Sequence, residues 1–182
     1  MIFLKQALLV IDIQNDYFKA GKMELVTPEQ ALKQINRLET HFSERNEPII
    51  YIQHINYQPN PLFFENGTSG ADLHQQLHVN SSSIIVEKQY PNSFFQTTLQ
   101  ETLASLQVEQ LVITGMMTHM CVDSTTRAGK ELGYHPILIS DATATKDLTF
   151  DNRTVQAKDV QSSYLAALQN FAKIVSTEEY LK

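Results

Sequence analysis

The stretch ITGMMTHMCVDSTTRAGKELGY, residues 113–134, joins an apolar segment to a segment with helical spacing through a short turn. Residues 110–114 predict a buried strand, and residues 119–132 predict a helix. The helix is expected to end at Gly133, since glycine is common just past a helix C-terminus. A strand, a turn and a helix in this order form the repeating unit of a parallel α/β sheet. The only cysteine of the chain, Cys121, lies at the predicted start of this helix.

The same alternation of short apolar runs and helix-like segments extends to both ends of the chain. A helix is predicted to begin with Thr27 as its N-cap, Pro28 at its first position and Gln30 three residues past the cap. Because connections of this kind cross over right-handed, we expect a three-layer α-β-α architecture with a mostly parallel six-stranded sheet. A single domain over residues 1–182 is predicted. The predicted strands are residues 7–13, 48–53, 84–88, 110–114, 135–140 and 173–176, and the later predicted helices are residues 93–106, 119–132 and 151–171.

Composition excludes several classes of protein. The chain has 182 residues, of which 42% are hydrophobic and 19% charged, with a net charge of −6, which is typical of a folded globular protein. The sequence has no basic stripe, so neither a nucleic acid nor an anionic membrane is an expected partner. No apolar run reaches the roughly 18–20 residues that span a membrane. With one cysteine and no signal-peptide pattern, the expected location is the cytoplasm and the expected partner is a small-molecule substrate.

Residues 56–83 do not follow the alternation of strands and helices. This segment contains two prolines, two glycines, a run of three serines and the aromatic residues Tyr57, Phe63 and Phe64. Connections of this length are uncommon in compact domains and are frequently functional. The sequence therefore predicts a partly ordered excursion that covers or lines a pocket.

Polar side chains follow each of the first five predicted strands. They are Asp12, His54, Lys88, Cys121 and Asp141. In parallel α/β sheets, ligands bind outside the carboxyl ends of the strands, where the strand order reverses. These five residues are therefore the first candidates for a functional site.

The chemistry of Cys121 makes it the most informative of these candidates. A helix N-terminus and a nearby ammonium group both lower the pKa of a thiol and so activate it. Backbone N–H groups of residues 115–118 would stabilise an oxyanion, Asp12 would transfer protons, and Lys88 would supply positive charge. Taken singly, each residue also has an ordinary explanation: a core cysteine, a turn-forming aspartate and a solvated lysine.

Five stretches of the chain resemble the isochorismatase-like cysteine hydrolase superfamily, which includes nicotinamidases and N-carbamoylsarcosine amidases. They occur in the order found in the family and together cover most of the chain. The resemblance implies a six-stranded parallel sheet and a homo-oligomer, either a dimer or a tetramer. The stretches are LLVIDIQNDYF (8–18), IIYIQH (49–54), IIVEKQYPNSFFQTTL (84–99), LVITGMMTHMCVDSTTRAGKELGY (111–134) and ILISDATAT (137–145).

The resemblance also implies a catalytic triad of Asp12, Lys88 and Cys121. In this interpretation Asp12 is the general base and later the acid, Cys121 is the nucleophile, and Lys88 orients and activates both. The oxyanion hole would be formed by the backbone N–H groups of Met117 and Cys121, after a cis peptide bond between Met116 and Met117. In the strand order 3-2-1-4-5-6, strand three lies two strands, roughly 10 Å, from strand one. Lys88 must therefore reach inward, helped by the turn at residues 90–92.

The presence of Cys121 favours cleavage of an amide-like C–N bond through a thioester. The isochorismatases proper lack this cysteine and cleave a vinyl ether, so a vinyl-ether hydrolase with Cys121 as a bystander is an alternative. A third possibility is a non-catalytic thiol protein that binds ligands or senses oxidation.

The sequence does not predict a metal site or another cofactor. Nicotinamidases bind a metal through an Asp-x-His motif after the second strand, and residues 52–56 lack it. His74 and His78 are four residues apart and would share a helix face, but two histidines are a weak metal signal.

A pair of Cys121 and His119 would be a rival catalytic arrangement. His119 precedes Cys121 by two residues, so on a helix its side chain is expected to face away from Cys121.

Further residues are candidates for binding the substrate because they follow the strand ends or supply aromatic surface. Asp16 and Phe63 are expected to shape the same pocket. Asp141 is expected to cap or brace the turn after the fifth strand, by the usual role of aspartate in turns. The predicted substrate-binding residues are Gln14, Phe18, His54, Tyr57, Phe94 and Thr118.

Overall fold

The computed structural model describes residues 4–182, and its main feature is one central sheet between two layers of helices. Two short 3₁₀ turns, Asn15–Tyr17 and Ser69–Ala71, and a π-helical turn, Thr118–Val122, complete the connections. The strands are β1 (Gln6–Ile11), β2 (Ile49–His54), β3 (Ile84–Lys88), β4 (Gln110–Met116), β5 (His135–Ala144), β6 (Leu148–Phe150), β7 (Arg153–Val155) and β8 (Lys173–Val175), and the helices are α1 (Pro28–Glu44), α2 (Leu99–Ser105), α3 (Asp123–Glu131), α4 (Ala157–Leu168) and α5 (Thr177–Tyr180).

The main sheet has six parallel strands in the order β3-β2-β1-β4-β5-β8. The predicted architecture and strand order are therefore confirmed. Strand β1 lies near the middle, and Ala7 to Ile11 are fully buried, as expected for a strand covered by helices on both faces. One core forms on the α1 side of the sheet around Leu32, Ile35 and Phe42. The second core, on the opposite face, contains Leu103, Val122 and Leu168.

The predicted helix at residues 93–106 is wrong in its first six residues. Residues 93–98 form turns, and α2 begins at Leu99. The Thr97 hydroxyl donates a hydrogen bond to the Ser93 carbonyl, and Gln96 has a left-handed backbone with φ 56°. Serine and threonine side chains that bond to nearby backbone compete with helix formation, so the helix starts only after them.

The predicted helix at residues 151–171 is also wrong at its beginning, where β6 and β7 form an antiparallel hairpin. Asp151 and Asn152 connect the two strands, and both have positive φ, 48° and 58°. Two left-handed residues in a row form the turn that suits a two-residue hairpin, and aspartate and asparagine tolerate this conformation. Helix α4 begins only at Ala157.

Two smaller expectations are corrected in the same way. Helix α1 begins at Pro28 as predicted, but Thr27 is left-handed, with φ 50°, and its side chain caps no N–H within residues 4–182. Strand β5 continues through Asp141 to Ala144, so Asp141 lies in a strand and not in a turn. The Asp141 carboxylate accepts hydrogen bonds from the backbone N–H and the hydroxyl of Thr177, both at 2.8 Å, and so stabilises the start of α5.

Residues 56–83 are fixed to the end of β1 by a buried carboxylate. Asp16 accepts hydrogen bonds from the backbone N–H groups of Phe64, at 2.6 Å, and Lys22, at 3.1 Å. Gly70 packs on the same carboxylate, and an added Cβ would overlap it. The segment is therefore an ordered cover over the carboxyl end of the sheet, and Asp16 is one of the residues that hold it. Within the described part of the chain, no helix is long and apolar enough to cross a membrane.

Candidate active site

Strands β1 and β4 approach each other closely where the site begins. Ile11 pairs with Gly115, which has φ 122°, and a Cβ on Gly115 would overlap the Ile11 carbonyl. Glycine at this position therefore allows the two strand ends to meet. Asp12 follows directly, with a left-handed backbone at φ 52° and its N–H bonded to the Ile52 carbonyl at 3.0 Å. Aspartate tolerates this conformation better than most residues, and the turn directs the buried side chain into the site.

Lys88 reaches Asp12 from the end of β3. Its Nζ lies 2.8 Å from Asp12 Oδ2, and both side chains are fully buried. The same Nζ lies 3.1 Å from His54 Nδ1 and 3.1 Å from the Tyr90 carbonyl oxygen. An ammonium group has three protons, and all of these contacts are to groups that can accept one. The inward reach of Lys88 and the help of the turn at residues 90–92 are observed.

Cys121 completes the cluster from the other side of β1. Its sulfur, a carboxylate oxygen of Asp12 and a ring nitrogen of His54 all lie within 4.8 Å of one another. The peptide bond between Met116 and Met117 is cis, as the sequence resemblance implies. Cys121 is the fourth residue of a helical stretch that begins at Thr118 and continues into α3. The first N–H groups of a helix have no acceptor in a preceding turn, so they are available to a bound oxyanion.

The electrostatics of the cluster correct the expectation of an activated thiol. Burial raises the pKa of Cys121, the charge of Asp12 raises it further, and Lys88 only partly opposes these effects. Burial lowers the pKa of Lys88, but the charge of Asp12, the neighbouring Cys121 and the hydrogen bonds to both raise it overall. The resting site therefore contains an Asp12–Lys88 ion pair beside a thiol that keeps its proton. A helix start and an ammonium group do not compensate for burial next to a carboxylate.

His54 contacts the predicted triad residues, and its ring does not line an open pocket as the predicted substrate-binding role would require. Burial lowers the pKa of His54, and the charge of Asp12 opposes this effect, so the ring is neutral near pH 7. Since Lys88 donates to Nδ1, we assign the ring proton to Nε2. His54 Nδ1 also lies 4.0 Å from Asp12 Oδ2. The imidazole thus holds the lysine against the aspartate.

Within residues 4–182, one group of residues has potential metal-ligating atoms close enough together to bind one ion. The group consists of Asp12, His54 and Cys121. The Lys88 ammonium, however, lies 2.8 Å from the carboxylate and 3.1 Å from the imidazole. A metal ion between these residues would place a second cation against the ammonium. The donor set therefore suits a lysine side chain and does not fit a metal ion.

A family model described as the isochorismatase domain matches residues 6–179. The chain belongs to the isochorismatase family. This hydrolase is 40% identical over 177 residues to the uncharacterized isochorismatase family protein YddQ of Bacillus subtilis, covering 97% of this chain and 98% of that protein. It superposes with a TM-score of 0.94 on a crystal structure from Oleispira antarctica assigned to the isochorismatase hydrolases, at 36% identity, with 99% and 97% of the chains covered. Nicotinamidase 3 of Arabidopsis thaliana is 27% identical over 151 residues, covering 76% and 73%.

Gln14 of this isochorismatase-family hydrolase is structural and does not face a ligand. Its Nε2 donates to the carbonyl oxygens of His54 and Ala71, at 2.8 and 2.7 Å, and its Oε1 accepts from the His54 N–H at 2.8 Å. Both ends of the buried amide are thus engaged with backbone. The prediction that Gln14 binds substrate is wrong, because the side chain ties β1 to β2 and to the covering segment.

The predicted roles of Tyr57 and Phe94 are also not supported by their positions. The Tyr57 ring is 53% exposed, and its hydroxyl donates to Glu87 at 2.8 Å. Phe94 stacks on Tyr134 with ring centroids 5.8 Å apart. It faces a cavity of about 300 Å³ against the C-terminal half of α3, about two turns beyond Cys121.

Thr118 and His119 use their polar atoms within the fold. The Thr118 hydroxyl lies 2.7 Å from Gln161 Oε1 and 3.1 Å from the Ala144 carbonyl oxygen, so the predicted substrate contact of Thr118 is replaced by a contact to β5 and α4. His119 Nδ1 lies 2.6 Å from the Thr145 hydroxyl. The histidine therefore faces away from Cys121, as the helical spacing predicts.

Phe18 and the two histidines of the covering segment pack elsewhere. Phe18 is buried against the His74 ring, with centroids 4.1 Å apart, so it fixes the cover instead of lining an open pocket. The expectation that His74 and His78 share a helix face is wrong, because residues 74–78 are not helical. The His78 backbone N–H instead donates to Glu39 at 2.8 Å.

The sequence interpretation missed Tyr17, which lies between two residues that it named. Tyr17 is fully buried and packs edge-on against Phe64, with centroids 4.6 Å apart, and lies 5.8 Å from Phe63. Phe64 is in turn 5.9 Å from His54. We call Tyr17, Phe63, Phe64 and His54 the aromatic cluster. The available signal was an aromatic residue five positions after Asp12, but its burial depends on residues 63 and 64.

The three residues of the predicted triad are nearly inaccessible in this conformation. Asp12 is 0% exposed, and Lys88 and Cys121 are each 2% exposed. A cavity of about 150 Å³, lined by Lys88, Tyr90 and neighbouring residues, adjoins the cluster on the β3 side. The sulfur of Cys121 thus has almost no contact with solvent in this conformation.

Proposed function

We propose that this hydrolase cleaves an amide-like C–N bond of a small molecule through a thioester on Cys121. The observation that carries the proposal is the buried Asp12–Lys88 ion pair, at 2.8 Å, with the only thiol of the chain beside it. A carboxylate, an ammonium and a thiol are the groups needed to move a proton, hold charge and attack a carbonyl. The relation to nicotinamidase 3 supports an amide as the substrate.

The first half of the reaction forms the thioester. Asp12 accepts the proton of the Cys121 thiol as the sulfur attacks the carbonyl carbon, and a C–S bond forms. The oxyanion accepts hydrogen bonds from the backbone N–H groups of Met117 and Cys121. The C–N bond then breaks, and Asp12 returns the proton to the leaving nitrogen, so that ammonia or an amine departs.

The second half releases the acid and restores the enzyme. Asp12 accepts a proton from water as the water oxygen attacks the thioester carbon. The C–S bond breaks, and the sulfur takes back the proton from Asp12. Lys88 stays protonated throughout, because its three protons hold Asp12, His54 and the Tyr90 carbonyl in place.

The raised pKa of Cys121 supports a general base and not a preformed thiolate. Because the resting thiol is neutral, its proton must leave in the same step as the attack. Asp12 is the base in contact range, and its Oδ1 has no hydrogen-bond donor among the described residues. A stable thiolate would instead need more positive charge than one lysine supplies beside a carboxylate.

An ammonia-release assay over primary amides and ureido compounds tests the proposal. We expect Cys121→Ala and Cys121→Ser to lose at least about 1,000-fold in kcat/KM on any substrate found, with an unchanged melting temperature. Iodoacetamide should modify Cys121 slowly at neutral pH and faster at higher pH. Full activity in Cys121→Ala, together with an unmodified thiol in the wild type, would exclude the mechanism.

Isochorismate belongs in the same panel. Equal turnover of isochorismate by the wild type and Cys121→Ala would identify a vinyl-ether hydrolase with a bystander cysteine. Reversible oxidation of the thiol without any hydrolysis would instead indicate a binding or redox-sensing protein.

We also propose a homo-oligomer, either a dimer or a tetramer, and a cytoplasmic location. The family resemblance supports the first proposal, and a lone buried cysteine without a disulfide supports the second. Size-exclusion chromatography with light scattering tests the oligomeric state directly, and a monomer at micromolar concentration would contradict it.

A further inference from the structure

The hydroxyl of Tyr17 is a buried polar atom without a partner. The residue is fully buried, and its Oη makes no hydrogen bond to any residue that the structure describes. Buried hydroxyl groups are nearly always hydrogen-bonded, and an exception in a native structure calls for an explanation. A phenylalanine would fill the same space without this cost, so the hydroxyl is not needed for packing.

Ring contacts connect Tyr17 to the predicted triad residues through Phe64 and His54. Tyr17 ends the 3₁₀ turn that follows Asp12 and packs on Phe64, which contacts the His54 ring. Burial raises the pKa of Tyr17, and the charges of Cys121, Asp12 and Asp16 raise it further, in that order. The phenol therefore keeps its proton near pH 7, and it remains a hydrogen-bond donor.

We propose that Tyr17 is a specificity-determining residue whose hydroxyl donates a hydrogen bond to the substrate. This inference rests on the proposed amide hydrolysis at Cys121. The substrate then carries, besides the scissile amide, a second group that accepts a hydrogen bond. Phe63 and Phe64, whose ring centroids are 4.8 Å apart, both pack on the Tyr17 ring and supply apolar surface beside the hydroxyl's ring.

The charges around Tyr17 indicate that this second group is neutral. Asp12 and Asp16 act on the hydroxyl with negative charge. Lys88, the cation beside Asp12, already contacts Asp12, His54 and the Tyr90 carbonyl oxygen. A carboxylate on the substrate would meet two carboxylates with no uncommitted ammonium proton to offset them. A ring nitrogen, a carbonyl or a hydroxyl fits the position.

The variant Tyr17→Phe removes the donor and keeps the ring. Suitable probes are benzamide, which has no second acceptor, and the three pyridinecarboxamides, which carry a ring nitrogen at different positions. We expect the wild type to prefer at least one pyridinecarboxamide over benzamide in kcat/KM. Tyr17→Phe should lower kcat/KM for that probe by about five- to tenfold and leave benzamide within about threefold, without lowering the melting temperature.

The control variant is Tyr57→Phe, which also loses a phenol but from an exposed ring bonded to Glu87. It should change neither the ratio of the probes nor the melting temperature. Two results would overturn the inference: an equal effect of Tyr17→Phe on benzamide, or a lower melting temperature that reveals a structural hydrogen bond. A wild-type preference for 4-carboxybenzamide that Tyr17→Phe abolishes would contradict the neutral acceptor.

Failure of the proposed hydrolysis can be separated from failure of this inference. If the wild type releases ammonia from none of the probes, the proposed function is not supported for this class of amide. Binding of the same probes to Cys121→Ala, measured by calorimetry, then decides the role of Tyr17. A preference for a ring nitrogen that disappears in the double variant with Tyr17→Phe supports the inference, and equal binding in both variants overturns it.

Discussion

Two buried carboxylates, one at the carboxyl end of β1 and one on helix α1, have different environments. Asp12 and Glu39 are both 0% exposed. Asp12 lies 2.8 Å from the ammonium of Lys88. Glu39 has no lysine or arginine partner among the described residues: Oε1 accepts from the Tyr51 hydroxyl at 2.7 Å and from the His78 N–H at 2.8 Å, and the His78 ring nitrogen Nδ1 lies 3.9 Å from Oε2.

The difference lies in the charge state that each environment stabilises. Burial raises the pKa of Glu39, and the hydrogen bonds from Tyr51 and His78 oppose this only in part. Glu39 is therefore pushed toward its neutral form, in which it braces α1 against β2 and the covering segment. Asp12 has a permanent cation in contact and can accept and return a proton. Equal burial thus gives a structural acid in one region and a candidate base in the other.

Removing the cation from Asp12 should have the largest effect. In Lys88→Met the Asp12 carboxylate stays buried without a counterion, which costs about 3–5 kcal/mol of the free energy of unfolding. The expected result is a large drop in the urea midpoint at pH 7 and no measurable ammonia release on a substrate of the wild type.

The matched control is Lys22→Met, which breaks an ion pair of the same length, 2.8 Å, to Glu65. Those side chains are 47% and 40% exposed, so the loss should be below about 1 kcal/mol. Similar losses in the two variants would mean that burial does not distinguish the pairs. Partial recovery in the double variant Lys88→Met with Asp12→Asn would confirm the unpaired charge as the cause.

A smaller effect is expected from the imidazole that holds Lys88. The pKa of His54 is lowered in the folded protein, chiefly by burial, whereas an unfolded histidine has a pKa of about 6.5. Its contribution to stability is therefore fully present above about pH 6.5 and is lost as the pH falls from there through the folded pKa. Protonation would also bring a second cation against the ammonium.

The variant His54→Asn keeps an acceptor near the position of Nδ1 and does not titrate. We expect the wild type to lose about 1 kcal/mol more than this variant between pH 7 and pH 5, measured by urea unfolding at each pH. The exposed His135→Asn serves as control, since it removes a histidine far from the triad. Parallel pH curves for the wild type and His54→Asn would show that His54 does not titrate against Lys88.

The sequence predicted those parts of the fold that depend on neighbours along the chain. Apolar runs identify the six strands, and the positions of Asp12, Lys88 and Cys121 after their strands place them at one edge of the sheet. The start of α1 at Pro28 is local in the same sense. These features need no knowledge of what packs against them.

Other features depend on contacts between distant residues and were missed. From the sequence, Gln14 is predicted to be a pocket residue. In the structure its amide is hydrogen-bonded to backbone carbonyl groups 40 and 57 positions away along the chain. The pKa of the Cys121 thiol depends on burial that only the assembled sheet supplies. Nothing in the sequence around Tyr17 indicates that its hydroxyl will be buried without a hydrogen-bond partner. The sequence thus predicts which residue types come together at the site, but it does not predict the protonation state or the partners of each group.

The smallest expected effect comes from Glu39. Neutralising this carboxylate should raise the free energy of unfolding at high pH, whereas neutralising Asp12 should lower it. A carboxyl with a raised pKa in the folded state contributes stability that is fully present below its unfolded pKa, about 4.3. That contribution is lost as the pH rises through the folded pKa. The variant Glu39→Gln resembles the neutral acid at every pH, and its Oε1 can still accept from Tyr51 and His78.

In Glu39→Gln the side-chain NH₂ group would take the position of Glu39 Oε2. That oxygen has no hydrogen-bond donor among residues 4–182, and it lies 3.9 Å from His78 Nδ1. We therefore expect Glu39→Gln to match the wild type near pH 4.5 and to exceed it by up to about 1 kcal/mol in unfolding free energy at pH 8. Asp12→Asn should differ, because it leaves Lys88 buried without its anion and loses stability at pH 8. If Glu39→Gln also loses stability at pH 8, then Glu39 is held as an anion, and a cation is not what distinguishes the two carboxylates.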